Sequence, residues 1–256
     1  MARCADRGLM DTLSLVIPAF NESERLVSTL EAVADYLVGA SIKATVIVVD
    51  DGSTDGTADV VFDHMSEASA VDVIAIPRQL GKGAAVRAGV LASDAEVIGF
   101  MDADMSTPIE ELPRVLAPLN DGYDISIGSR AMTQSRLLLA QPTYRRVGAR
   151  IFREIVPFVV GLHGFPDSQC GFKFFRREVA HDLFGATVIE RWMFDAEVLR
   201  LATHRGYRVA QVPVTWRNHP DSRLRLTLDT YRMIRDLTRI RLRFMVGRYG
   251  RPGRVV

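Results

Sequence analysis

Two carboxylates placed one residue apart are the side chains of this sequence best suited to chemistry. Asp102 and Asp104 follow the apolar run Val-Ile-Gly-Phe-Met at residues 97–101. In a strand, residues i and i+2 share a face, so at a strand end both side chains can converge on one cation. Mg²⁺ commonly takes one or two carboxylates together with substrate phosphates. The pair therefore predicts two ligands for an Mg²⁺ or Mn²⁺ ion that carries a diphosphate. A solvated turn is the alternative.

Three further strand ends carry polar or basic side chains. Asp50 and Asp51 close an apolar run and open a Gly-Ser-Thr turn, where either could accept hydrogen bonds from a nucleoside. The alternative is that these residues only form a strand–turn–helix junction, which favours the same residue types. The segment Pro18–Glu22 ends the first apolar run and could form a wall of the same pocket. Lys82, in a Gly-Lys-Gly segment, would add charge at the start of a helix, where backbone amides favour anions.

The second half of the chain supplies the remaining candidates. Arg130 ends another apolar run, and Arg145 and Arg146 follow it in the sequence. These arginines are candidate phosphate ligands because guanidinium groups suit phosphates. Arg191 and Asp195 would share one face if their segment is helical. Trp192 and Phe194 are expected in the core. The histidines show no metal-ligand spacing, so zinc is not expected.

The elements that must position these side chains alternate along the chain. The predicted strands are 13–17, 44–49, 71–76, 95–101, 124–128, 171–175 and 208–216. The predicted helices are 22–37, 55–65, 83–92, 110–119, 145–160, a helix from 177, 194–203 and 224–244. Asn21 or Ser23 would cap the first helix. This alternation favours an α/β fold with a mostly parallel sheet covered by helices on both faces, whose ligands bind at the carboxyl ends of the strands.

Charge is distributed unevenly over the 256 residues, although the net charge is +1. Residues 1–128 contain 8 basic and 21 acidic side chains, whereas residues 129–256 contain 24 and 10. The acidic half suits a metal-carried nucleotide, and the basic half suits an anionic acceptor or lipid surface. Because no nucleic-acid-binding signature accompanies the basic half, nucleic acid is not expected as a partner.

Cellular location is indicated by what the sequence lacks. Two cysteines, Cys4 and Cys170, make no disulfide framework, which is typical of a reducing compartment. No stretch reaches the roughly 18 apolar residues of a membrane span, and no secretory signal is evident. We therefore expect a cytoplasmic protein that is peripheral on the cytoplasmic face of the membrane.

We expect a tail at 1–11, one α/β domain at 12–222, and a basic amphipathic helix with a tail at 223–256. The last helix carries an apolar stripe among many arginines, and such a helix can lie in a membrane interface. A helix packed on the domain with a solvated Arg face is the alternative. The stripe comprises Leu226, Met233, Leu237, Ile240 and Phe244.

Taken in order, seven strings resemble family 2 glycosyltransferases with the GT-A fold. They are VIPAFNESERL (16–26), VVDDGSTDGT (48–57), GKGAAVRAG (81–89), MDAD (101–104), IGSR (127–130), DSQCGFKFF (167–175) and RWMFDAEVL (191–199). The resemblance covers about residues 12–220 and is closest to the polyprenyl-phosphate sugar synthases, in particular the dolichyl-phosphate glucose branch. Two departures are the missing N-terminal membrane helix and Ser106, where related mannose synthases often carry Gln.

The resemblance implies roles for individual residues. The nucleoside would be held by Pro18, Phe20, Glu22 and Asp50 or Asp51, with Lys82 beside the diphosphate. The metal would be held by Asp102 and Asp104. The acceptor phosphate or leaving diphosphate would be held by Arg130, Arg146, Lys173 and Arg191. Gln169, Asp195 and Glu197 would lie near the acceptor or sugar.

The implied reaction is an inverting transfer of a hexose or N-acetylhexosamine from a nucleotide-diphosphate sugar, a UDP-sugar being favoured, to polyprenyl monophosphate. An anionic membrane surface is the expected partner, and recruitment by an integral-membrane protein is left open. A family 2 enzyme with a soluble or saccharide acceptor is one alternative, and it would need a base such as Asp195. A non-catalytic sugar-nucleotide-binding subunit is another. A sugar-phosphate nucleotidyltransferase is disfavoured because its N-terminal G-x-G-[ST]-R-like string is absent.

Overall fold

A computed structural model describes residues 12–64, 71–137, 156, 158–217 and 226–250. Cys4, the predicted tail at 1–11 and the Arg145-Arg146 pair lie outside these ranges, as does most of the predicted helix at 145–160.

A seven-stranded sheet forms the centre of the fold. Its spatial order is β3-β2-β1-β4-β7-β5-β8, and only β7 runs antiparallel to its neighbours, β4 and β5. The strands are β1 Leu13–Ala19, β2 Ala44–Asp50, β3 Val71–Ala75, β4 Val97–Met101, β5 Ile125–Ser129, β7 Phe172–Arg176 and β8 Val209–Pro213. A short parallel pair is formed by β6 Arg136–Leu137 and β9 Thr215–Trp216. The predicted α/β fold with a mostly parallel sheet is confirmed.

Helices cover both faces of this sheet. They are α1 Ser23–Gly39, α2 Thr57–His64, α3 Lys82–Ala92, α4 Leu112–Asn120, α5 Arg177–Ala186, α6 Phe194–Arg205 and α7 Leu226–Met245. Successive β1 residues serve opposite cores: Val16 packs in the cluster that includes α3, α5 and α6, whereas Leu15 and Ile17 pack in the cluster that includes α1 and α4. Because side chains alternate across a strand, a sheet covered on both faces needs such unbroken apolar runs.

Two local predictions were wrong. The strand expected at 208–216 is two strands, because the chain leaves the main sheet after Pro213 and pairs with β6 instead. The first amides of α1 are not bonded by the predicted caps. The backbone amides of Glu22 and Ser23 donate instead to side chains between β2 and the first residue of α2, namely the Thr57 hydroxyl at 2.9 Å and the Asp55 carboxylate at 3.1 Å.

The last helix packs on the domain through the stripe that the sequence offered to a membrane. Leu237 and Ile240 are buried in the core, and Met233 and Phe244 pack against it. The stripe residues Met233, Leu237, Ile240 and Phe244 therefore face the domain, which favours the alternative of a helix packed on the domain. Within the described ranges, no helix combines the length and apolar character that crossing a bilayer requires.

Candidate active site

The carboxylate of Asp102 lies in a notch that only glycine can leave open. Asp102 follows β4 and Gly171 precedes β7, and the pairing of Met101 with Phe172 sets the two residues side by side. A Cβ atom on Gly171 would fall 2.1 Å from Oδ2 of Asp102. The glycine of the Cys-Gly-Phe string thus makes room for the carboxylate.

The carboxylate of Asp102 forms an ion pair with a lysine ammonium. Lys82, the first residue of α3, forms an ion pair with Oδ1 of Asp102, and both side chains are partly exposed. Burial opposes the charge on Lys82, but Asp102, Asp195 and Asp104 outweigh it and raise the pKa of the ammonium group. The strand end predicted to hold a metal ion thus carries an ion pair with a lysine of the same chain.

The second carboxylate is fixed by a tight turn. Oδ1 of Asp104 accepts the backbone amide of Ser106 at 2.9 Å, and the amide of Met105, at a φ of 51°, returns to the Asp102 carbonyl at 3.0 Å. Buried Thr29 anchors the same turn through the Ala103 carbonyl at 2.7 Å. The turn therefore holds both carboxylates at the open edge of the sheet.

These donors fit a hard divalent ion. Across the residues that the structure describes, no three His, Cys, Asp or Glu side chains gather to form a metal cage of their own. A carboxylate pair that leaves the remaining coordination to phosphate and water is the pattern of Mg²⁺ sites in nucleotide-dependent enzymes. The site of Asp102 and Asp104 therefore suits Mg²⁺ or Mn²⁺.

The segment 187–193 closes on the start of α3 and explains the glycines of Gly-Lys-Gly. The amide of Ala84 donates to the Glu190 carbonyl at 2.9 Å. A Cβ atom on Gly81 would come within 2.6 Å of that carbonyl, and one on Gly83 within 2.6 Å of Phe194 Cβ. Gly81 also has a φ of +129°, which disfavours other residues. These glycines serve close packing first.

Segment 187–193 brings an unpredicted aromatic residue to the site. Trp192 was expected in the core, but it is 38% exposed and its ring centroid lies 5.8 Å from the Lys82 ammonium. Phe194 is buried, as predicted. Arg191 precedes α6, so it does not share a helix face with Asp195. The position of Trp192 between two helices was the signal that it could be exposed.

Glu197 holds segment 187–193 in place through hydrogen bonds from the backbone amides of that segment. Its buried carboxylate accepts the amides of Val188 at 3.1 Å and Ile189 at 2.9 Å, and it also bonds the hydroxyl of Tyr249 beyond α7. Burial raises the pKa of Glu197. The resemblance placed Glu197 near the acceptor or sugar, but in the structure its carboxylate faces the chain itself.

Lys173 and Asp195 form an ion pair inside the protein. Both side chains are almost fully buried, and the Lys173 ammonium also donates to the Cys170 carbonyl at 2.7 Å. Burial raises the pKa of Asp195, while Lys173 opposes that effect. The expectation that Lys173 grips the acceptor phosphate is not met in this arrangement, because its ammonium has no solvent-facing side. Asp195 likewise presents no exposed base.

Arg130 is bound by a carboxylate of the chain. Its guanidinium makes a two-pronged pair with Asp167 at 2.7 Å and lies 5.4 Å from the Trp216 ring. Although burial alone would raise it, Arg130 lowers the pKa of Asp167 to about 2. Gln169 is partly exposed two residues before Gly171, and its backbone amide donates to Oδ1 of Asp167 at 3.2 Å. The string 167–171 thus joins this pair to the Asp102 notch.

The proposed nucleoside residues meet at the ends of β1 and β2. The carboxylate of Asp51 accepts the amides of Leu80 and Gly81, both at 2.8 Å, and so fixes the approach to Lys82. Asp50 is buried and accepts the Ser53 amide at 3.2 Å. Pro18, Phe20 and Glu22 are partly exposed at or just beyond the end of β1. Parallel pairing of β1 with β2 is what brings these groups together.

A family model and several relatives match most of this chain. Residues 14–184 match the family model described as glycosyl transferase family 2. A dolichyl-phosphate beta-glucosyltransferase of Trichomonas vaginalis is 35% identical over 244 residues, which are 91% of this chain and 72% of that protein. The dolichyl-phosphate beta-glucosyltransferase of Homo sapiens is 34% identical over 92% of this chain and 76% of its own length.

Solved structures give the same fold. Glucosyl-3-phosphoglycerate synthase of Mycobacterium tuberculosis, in complex with Mn²⁺, UDP and phosphoglyceric acid, superposes with a TM-score of 0.66. The alignment covers 96% of this chain and 81% of that chain, at 22% identity. At this identity the likeness establishes the fold.

Proposed function

The chain belongs to glycosyl transferase family 2, and we propose that it transfers a glucosyl group from UDP-glucose to polyprenyl monophosphate with inversion of the anomeric centre. Glucose and a lipid phosphate are the groups named for its relatives. UDP-glucose and UDP are the ligands named for the solved neighbours. The sequence had left the sugar open between hexoses and N-acetylhexosamines.

One observation carries the proposal: the Asp102 carboxylate at the carboxyl end of β4 already holds a cation, the ammonium of Lys82. Asp102 and Asp104 would hold Mg²⁺ or Mn²⁺, which when bound neutralises charge on a departing diphosphate. Lys82 would then be released from Asp102 and could pair with a diphosphate oxygen as a point charge. Trp192 beside it would shield that ion pair from bulk water.

The state of Asp195 favours a phosphate acceptor over a saccharide. A sugar hydroxyl needs a general base within hydrogen-bond reach, whereas a phosphate monoester is mostly ionised at neutral pH because its second pKa is about 6. Asp195, the candidate base, is buried and paired with Lys173. A nucleophile that arrives already charged needs no such base.

The proposal includes a cytoplasmic protein that is peripheral on the membrane holding the acceptor. Arginine side chains of the basic half would attract both the acceptor phosphate and the anionic surface. Arg146 stays a predicted phosphate ligand, outside the described ranges. Recruitment by an integral-membrane protein also stays a prediction, with no observation for it.

Radiolabelled UDP-glucose, Mn²⁺ and polyprenyl phosphate test the reaction. We expect label in a charged lipid that organic solvent extracts. Label in a neutral soluble product would indicate a saccharide acceptor instead, and binding of UDP-glucose without any transfer would indicate a non-catalytic subunit.

The metal assignment has its own test. Asp104→Asn should abolish transfer, while Asp121→Asn, at an exposed aspartate after α4, should leave it unchanged. Unchanged turnover in Asp104→Asn would refute the role of this carboxylate.

A further inference from the structure

The helix α7 is apolar on two faces, and the part of the chain that the structure describes covers only one of them. Its inner face packs on the domain through Leu237 and Ile240, which are 2% and 0% exposed. Phe244 adds to this attachment, because the guanidinium of Arg200 lies 4.8 Å from its ring and the ring of His204 lies 5.3 Å away. The helix is therefore held firmly on its inner side.

The outer face consists of Tyr231, Ile234, Leu242, Met245 and Val246, between 53% and 71% exposed. Tyr231 and Ile234 are three residues apart, Leu242 follows eight residues later with Thr238 in the gap, and Met245 and Val246 lie three and four residues beyond Leu242, so the five side chains form one stripe. Of the ten large apolar side chains exposed in the described ranges, these are half. Such a concentration on one helix marks an interaction surface.

Arginines border this stripe. A groove of about 690 Å³ is lined by outer-face residues together with Arg235, Arg239, Arg243 and Arg248. Between residues 230 and 250 the sequence has six arginines and one acidic residue, Asp236, whose side chain is buried. The surface presented outward is thus apolar at its centre and positively charged at its rim.

We propose that the outer face of α7 docks on an anionic lipid bilayer, with the apolar stripe in the head-group region and the arginines on lipid phosphates. This inference rests on the proposed function, in which the acceptor is itself a lipid. Each basic residue near an anionic surface adds about 1 kcal/mol, or about fivefold in binding. Tyrosine and aliphatic side chains on a basic helix suit the membrane interface.

Charge argues against the other occupant, a second copy of the chain. A two-fold dimer through this face would set arginine rims against each other, since such an interface is self-complementary. Like charges placed together in this way oppose association. Lipid phosphates supply the opposite charge along the whole rim.

The end of α7 connects this face to the active site. Tyr249, four residues beyond the helix, bonds the buried Glu197, which in turn holds the segment bearing Trp192. The helix thus has a fixed orientation relative to the Asp102 notch, so docking would set the site at a constant position over the lipid surface.

The test is co-sedimentation of the full chain with phosphatidylcholine vesicles, with and without phosphatidylserine. Wild-type protein should bind only the anionic vesicles. The Ile234→Asp/Leu242→Asp variant should bind at least about tenfold more weakly, because it replaces two apolar side chains that would contact the bilayer with charged ones. Arg239→Gln/Arg248→Gln should lose about 25-fold through two charges.

A matched control uses Val38, which is 77% exposed on α1. Val38→Asp introduces one negative charge, where the double variant introduces two, at an exposed apolar helix position away from α7, and should leave vesicle binding unchanged. Equal binding by wild type and the Ile234→Asp/Leu242→Asp variant would overturn the proposal, as would wild type that ignores anionic vesicles. A change of molecular mass in that variant, from oligomer to monomer, would assign the face to a second copy and also overturn it.

Activity with a short, water-soluble polyprenyl phosphate separates this inference from the reaction. The α7 variants should keep that activity and lose transfer only to acceptor embedded in anionic vesicles. No transfer by wild type to the short acceptor would refute the reaction, whatever the vesicles show. Equal loss by the variants on both acceptors would refute docking as the role of this face.

Discussion

Replacing Gly171 by alanine should strongly lower the activity of the protein while leaving it folded. A Cβ atom there would lie 2.1 Å from Oδ2 of Asp102 and 2.3 Å from Cγ and Oδ1. Ordinary contact begins near 3.4 Å, so the carboxylate must move by about 1.3 Å. Gly171 is not among the glycines with positive φ, so its backbone accepts alanine, and the three atoms nearest the added Cβ all belong to the Asp102 carboxylate.

The expected effect on catalysis is large because the displaced group is a proposed metal ligand. A misplacement of about 1 Å can cost about 100-fold in rate. Gly171→Ala should therefore lower kcat/KM about 100-fold and weaken the Mn²⁺ dependence. The Asp102 side chain is partly exposed and can turn towards solvent, so the free energy of unfolding should fall by less than about 1 kcal/mol.

Two other glycines provide matched controls. A Cβ atom on Gly99 would lie equally close, 2.1 Å, to an atom of the buried Phe174 ring. Gly99→Ala should therefore lower the free energy of unfolding by about 1–3 kcal/mol. Gly185→Ala, in α5, meets nothing within 4 Å and should keep full activity while adding up to about 1 kcal/mol of helix stability. Steady-state kinetics and urea unfolding of the three variants decide the matter. Wild-type kcat/KM in Gly171→Ala would refute the notch, and a loss of stability as large as in Gly99→Ala would show a packing role instead.

Three more perturbations follow from buried charges. Lys173→Met leaves the Asp195 carboxylate unpaired and should cost about 3–5 kcal/mol in urea unfolding, much of it recovered by adding Asp195→Leu; a cost below 1 kcal/mol would contradict the buried pair. The pKa of Asp167 is lowered to about 2, so its pairing with Arg130 stabilises the fold by about 2 kcal/mol above pH 4, and this contribution should vanish as the pH falls from about 4 to about 2. Asp167→Asn should remove that part of the acid dependence, and an unchanged acid-unfolding profile would count against it. Glu197→Gln weakens charge-assisted bonds to two backbone amides and should lower stability by about 2 kcal/mol, measured by urea unfolding; a fully stable variant would mean that the segment 187–193 is held by other contacts.

The sequence predicted the sheet well because the signals for its strands are local. Unbroken apolar runs such as 44–49 mark strands buried on both faces, and the observed bounds differ by one or two residues at most ends. It failed where distant segments decide. The caps of α1 come from Asp55 and Thr57, around the start of α2 and 32 to 35 residues away, and no local pattern indicates them.

The candidate site divides in the same way. Strand-end chemistry identified Asp102 and Asp104 from their spacing, since parallel strands bring their carboxyl ends to one edge. Only the folded chain shows that Lys173 and Asp195 neutralise each other inside the protein. Nothing in the string that contains Lys173 says which carboxylate it will meet.

The last helix shows most clearly which features the sequence determines and which depend on the tertiary structure. From the sequence alone, α7 is a basic helix with apolar residues at helical spacing, and that is determined by periodicity. The sequence contains two such stripes, and the one that we expected to contact lipid is the one that packs on the core. Which stripe is covered depends on the shape of the domain surface beneath it, because apolar side chains bury wherever close packing is available and periodicity carries no information about the partner.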